Sequence, residues 1–114
     1  MFVLGIDPGL SRCGYGLVAS AERGGGLRAV AAGVIETDPA TPVPDRLYLL
    51  QAELRELLAE HSPRTVVVER VFFQVNAKTA VSVCQASGIA LAAAAEAGCG
   101  VAQYTANEVK QAVV

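Results

Sequence analysis

The chain has no tryptophan, a single histidine and few aromatic residues of any kind. The single histidine is His61. It falls at the end of a helical pattern, where a cation is favoured, and is assigned no catalytic role. Cysteine is scarce as well. Cys13, Cys84 and Cys99 are odd in number and lack metal-ligand spacing, which argues against a disulfide scaffold and fits reduced thiols. No run approaches the roughly 18 apolar residues of a membrane span. The alanine-rich stretch after residue 77 is broken by Lys78, Ser82, Gln85 and Ser87. The N-terminus lacks the basic residues that open a secretory signal. The expected location is cytoplasmic, with no membrane partner. Charge is sparse too. At 18% charged residues and a net charge of −2, a general nucleic-acid coat protein is disfavoured, whereas binding through one local patch is not.

What is present is apolar: 53% of 114 residues, enough for one domain over residues 1–114 to bury its own core. The organising stretch is Val3-Leu4-Gly5-Ile6-Asp7-Pro8-Gly9, continued as Gly14-Tyr15-Gly16. Val3, Leu4 and Ile6 suit a buried strand. Asp7 does not, because a buried carboxylate is costly unless paired, hydrogen-bonded or bound to metal. Pro8 cannot donate to a ladder, and Gly9 can take backbone angles that other residues avoid. Asp7 then sits at the mouth of a strand, facing solvent or a ligand. An aspartate capping a tight turn is equally consistent with this stretch alone.

The first third reads as a meander: strands over Phe2–Asp7, Gly14–Ala19 and Leu27–Glu36, with a glycine turn at Gly24-Gly25-Gly26. No helix or Lys-Ser/Thr follows that turn, so it is read as a hairpin and not as a phosphate cradle. Thr37–Pro44 is a proline-rich loop. A helix spans Asp45–His61, with Leu47, Leu50, Leu54, Leu57 and Leu58 on one face and Glu53, Glu56 and Glu60 solvated. Pro63 follows it. Thr65-Val66-Val67-Val68-Glu69 repeats the opening logic, a β-branched run ending in a carboxylate between two helices, as in a buried parallel strand. A helix of small residues runs from Asn76 or Ala77 to Ala97 and stops at Gly98. Gly100–Tyr104 is a fifth strand. Thr105-Ala106-Asn107-Glu108 is a capping box that opens a third helix. That helix reaches Val114 without a C-cap, so the domain is expected to be incomplete at its C-terminal end.

If the fourth strand lies parallel beside the first, Asp7 and Glu69 emerge at one carboxyl edge, where ligands of α/β sheets bind. Two carboxylates there repel, and either share a proton or bind a hard divalent cation such as Mg²⁺ or Mn²⁺. The same edge is expected to carry Arg12, Arg70, Lys78 and Lys110, a setting that fits a phosphodiester held against metal. Asp7 and Glu69 supply too few ligands for a two-metal site, so a further acid is expected from elsewhere. Phe72 and Phe73 lie in the link after Glu69. One is expected in the core, and the other is a candidate to wedge between bases.

Gly5-Ile6-Asp7-Pro8-Gly9 with Gly14-Tyr15-Gly16, then Glu69-Arg70-Val71-Phe72 with Asn76, Gln85-Ala86 and Gly88, then Glu108-Val109-Lys110 with Val113-Val114, resemble the RuvC family of bacterial Holliday-junction resolvases. The resemblance runs through the whole chain in order. It implies an α/β, RNase H-like fold: a mixed five-stranded sheet, three antiparallel then two parallel strands, with helices on both faces. It implies a homodimeric, Mg²⁺-dependent endonuclease that nicks four-way DNA junctions symmetrically in recombination and repair. RuvA and RuvB, the branch-migration complex, are the implied partners. By the match, Asp7 and Glu69 are metal ligands and catalytic, Lys110 is a catalytic basic residue near the scissile phosphate, and Phe72 inserts at the junction. Arg70 and Asn76 fall in the DNA-contacting region, to which Lys78 and Arg12 are added from their expected place at the site edge. The family's remaining acidic ligands lie on a C-terminal helix with no counterpart up to Val114. Two other readings are an actin-like nucleotide-binding fragment, which needs a second glycine turn, and a junction-binding module that does not cut.

Overall fold

The computed structural model describes residues 1–20, 26–70 and 77–104, apart from the side chains of Ala77 and Lys78. Its strands are β1 (Phe2–Asp7), β2 (Arg12–Ser20), β3 (Leu27–Glu36), β4 (Thr65–Glu69) and β5 (Gly100–Tyr104). The helices are α1 (Val43–His61) and α2 (Ala77–Glu96). The sheet order is β3-β2-β1-β4-β5, with the first three strands antiparallel and β4 and β5 parallel to β1. This is the expected mixed sheet. The turn expected at Gly24 and Gly25, and the third helix expected from Thr105, lie outside the described residues.

Two boundaries differ from expectation for local reasons. β2 begins at Arg12, because the ladder to β3 starts at once with Arg12 opposite Glu36. α1 begins at Val43, with Pro44 in its first turn, where a missing N–H costs nothing. The Pro42 carbonyl accepts from the Asp45 and Arg46 amides, both at 3.1 Å. At the other end Ser62 takes the left-handed conformation and its N–H donates to the Leu58 carbonyl at 2.9 Å.

Period-2 alternation divides β1 and β4 between two environments. Leu4, Ile6, Val66 and Val68 point to one face and are buried. They pack with Cys13, Leu17 and Ile35 from the neighbouring strands, with Leu50, Leu54 and Leu58 of α1, and with Ala86, Ala90, Ala93 and Ala94 of α2. Both described helices share this core and touch each other. The expectation of helices on both faces therefore rests on the third helix, outside the described residues. By length and composition Thr79–Glu96 is apolar enough to cross a membrane, contrary to the sequence reading. Its alanine row is packed in the core, which is the arrangement of a helix lying on a sheet. The leucine face of α1 is nearly as expected, with Leu47 and Leu57 half-buried at its margins. Arg46 is the surprise, buried on the same row.

Candidate functional site

The opposite sheet face is built differently. Val3, Gly5 and Asp7 of β1 lie on it, beside Gly14 and Gly16 of β2 and Thr65, Val67 and Glu69 of β4, and none of the eight is buried. Ile6 faces Val68 in the parallel pair, so Asp7 and Glu69 emerge side by side one step further on, at the carboxyl ends of two adjacent strands. Strand β1 ends there because of the turn that follows. A Cβ on Gly9 would collide with the Arg12 carbonyl oxygen, so no side chain fits. Lack of room, and not a left-handed backbone, is the reason for glycine at this position. Opposite Asp7 is Gly14, where a Cβ would only just touch the Asp7 side chain at 3.8 Å. The acidic pair is thus flanked on the β2 side by bare backbone.

The electrostatics follow from this placement. Partial burial, and then a hydrogen bond and like-charge repulsion from Asp7, raise the Glu69 pKa above its ordinary value. The two carboxyls thus act on each other directly at the sheet edge. Asp7 is exposed and Glu69 half-buried, so the pair is open to an incoming ligand. Two adjacent carboxylates on rigid strand ends, all oxygen donors, fit a hard divalent cation. Among the described residues no third acidic, histidine or cysteine side chain joins them.

The other candidates divide into two groups. Arg12 and Arg70 reach the same edge, at the start of β2 and just after β4. Arg12 leans toward Glu36 at 4.0 Å, with both side chains largely exposed, a loose pair that leaves the guanidinium available. The Arg70 amide donates to the Tyr104 carbonyl at 2.7 Å, which fixes the chain leaving Glu69. Phe72, Asn76 and Lys110 lie outside the described residues, as does the Lys78 side chain, although Lys78 itself stands in the first turn of α2.

Two residues were not anticipated. Tyr104 pairs with Glu69 in register and remains 44% exposed beside the acids. Arg46 is buried behind the turn that follows Asp7. Arg46 precedes Leu50, Leu54 and Leu58 on one i, i+4 row and shares their buried face.

Comparison with known proteins gives a consistent result. The family model described as crossover junction endodeoxyribonuclease RuvC matches residues 3–114. The crossover junction endodeoxyribonuclease RuvC of Syntrophomonas wolfei is 46% identical over 114 residues, covering 100% of this chain and 65% of the relative. That of Salinispora arenicola is 50% identical over 113 residues, covering 99% of this chain and 64% of the relative. The chain thus spans a little under two thirds of the length of these relatives. Among solved structures, T. thermophilus RuvC in complex with a Holliday junction substrate superposes with a TM-score of 0.88 at 36% identity, covering 100% of this chain and 70% of that one.

Proposed function

The chain belongs to the crossover junction endodeoxyribonuclease RuvC family and has its RNase H-like sheet, and from that premise we propose that it is the nuclease domain of a metal-dependent endonuclease that resolves four-way DNA junctions. The observation that carries this reading is the abutment of Asp7 and Glu69 at the ends of parallel neighbours, on the face that α1 and α2 leave open. These two side chains would hold the cation, Mg²⁺ with Mn²⁺ as a substitute. Bound there, such an ion supplies Lewis-acid stabilisation of the charge that builds on a phosphodiester under attack by water. The chain's own part is to hold two oxygens rigidly in place and to leave room beside them. Gly14 and Gly16 provide that room, since a backbone without side chains lets a DNA strand approach closely. Arg12 and Arg70 offer positive charge at the rim for phosphates. Lys110, Phe72, Asn76 and Lys78 are assigned to the scissile phosphate, the junction wedge and the DNA backbone on the motifs that carry them.

The functional unit in this proposal is a cytoplasmic homodimer acting with RuvA and RuvB. Its test compares junction binding with junction cutting. With Mg²⁺ the intact protein should introduce paired nicks in a four-way junction, and Asp7→Asn should bind the junction while leaving it uncut. Cutting by that variant at the parent rate would remove Asp7 from the chemistry. Binding without cutting by the parent would favour the junction-binding module. Stabilisation by a nucleoside triphosphate, with no junction affinity, would favour the actin-like reading.

A further inference from the structure

Arg46 is only 8% exposed. A buried guanidinium gives up its hydration, a cost that must be offset by partners for its hydrogens, and the common partner is a carboxylate. Among the described residues Arg46 forms no ion pair. Its partners are two hydroxyls: Nε–H donates to Thr37 Oγ1 at 2.9 Å, and Nη2–H donates to Ser11 Oγ at 2.9 Å. Thr37 in turn donates its hydroxyl proton to the Leu10 carbonyl. The Thr37 amide donates to the Ser11 carbonyl at 3.2 Å. All of these bonds end on Leu10, on Ser11 or on the threonine that grips them both. Leu10 and Ser11 belong to the short segment that leads from Asp7 into β2.

That segment needs a grip. Asp7 and Glu69 repel once both are ionised, and a carboxylate on a strand end can escape by letting the following turn swing away. Resisting this takes a partner that is fixed in direction and never loses its charge, which describes a buried arginine fork. We propose that Arg46, acting through Thr37 and Ser11, is a positioning residue that locks the turn after Asp7 and so presets the Asp7 carboxylate against Glu69 for a divalent cation. The inference rests on the metal reading of that acidic pair and adds to it the device that holds the pair together.

The test uses Thr37→Val, which keeps the shape and removes the hydroxyl, with Thr37→Ser as its rescue, in the whole chain. Two quantities are read: amide hydrogen exchange across residues 9–12, and Mn²⁺ affinity by calorimetry. In Thr37→Val the turn should exchange faster and Mn²⁺ affinity should fall about tenfold, the lower end of the range for residues that orient metal ligands. Thr37→Ser should return both toward the parent. Ser11→Ala, at an exposed residue, should shift both in the same direction by less. Leu58→Ala, at the far end of α1, should lower stability without changing Mn²⁺ affinity. A looser turn with unchanged affinity, or an affinity loss matched by Leu58→Ala, would overturn the positioning role. Unchanged exchange in Thr37→Val would overturn the clamp itself. Mn²⁺ binding by the parent that is insensitive to Asp7→Asn would instead overturn the metal reading, a separate result.

Discussion

The two faces of this sheet are made from the same strands and do opposite work. On one, Leu4, Ile6, Val66 and Val68 meet two helices and are almost wholly buried. On the other, one residue along in each strand, Gly5, Asp7, Val67 and Glu69 meet none of the described helices. The difference shows how a domain separates stability from chemistry. Burial of apolar area on the covered face holds the strands in register. That register delivers two mutually repelling carboxylates to one point on the bare face.

The comparison predicts that substitutions sort by face. The largest effect is expected from Asp7→Asn in the intact protein. Junction cleavage should fall by roughly 10²–10³-fold, as when a charge-stabilising group is removed from an active site. The melting temperature should hold or rise, and a large loss of stability would erase the distinction between the faces. Next is Leu54→Ala on the covered face, where the side chain is 0% exposed. Chemical denaturation should show a loss of about 2–5 kcal/mol, with cleavage per folded molecule unchanged.

A smaller effect sharpens the contrast. Gly14→Ala adds a carbon at ordinary contact distance from Asp7. It should stabilise the fold by about 0.5–1 kcal/mol, because glycine inside a strand is costly. That result would mean the bare face is not a requirement of folding. A destabilised Gly14→Ala variant would mean that it is.

The smallest effect concerns pH. Glu69 has a raised pKa in the folded chain, first from partial burial and then from Asp7. The folded state therefore holds this proton more tightly than the unfolded state does. Stability is lost as pH rises from the ordinary carboxylate range through the raised folded value. Without added metal, Glu69→Gln should melt about 1–3 °C above the parent at pH 7, the small shift expected of a partly exposed group. The gap should close in acid, where the parent's Glu69 is protonated in both states. A gap that widened toward low pH would contradict the assigned repulsion.

Much of this was legible in the sequence. The β-branched run Thr65–Val68 and the apolar run Phe2–Ile6 each end in a carboxylate, and once the two strands lie side by side in parallel register their acids come together. The proline and glycine after Asp7 marked the strand end, although for Gly9 the cause is crowding by the Arg12 carbonyl. Arg46 escaped because its burial depends on two hydroxyls far away in the chain, Ser11 and Thr37, whose meeting is a tertiary event. Tyr104 escaped for a similar reason. Only the β4–β5 register reveals that it stands beside Glu69.

The central claim is that Asp7 and Glu69 together grip one cation. Crystals soaked in Mn²⁺ and measured at the manganese absorption edge test it most directly. The account predicts an anomalous peak in contact with oxygens of both carboxylates. A peak touching only one of them, or manganese bound elsewhere with this pair empty, would contradict it.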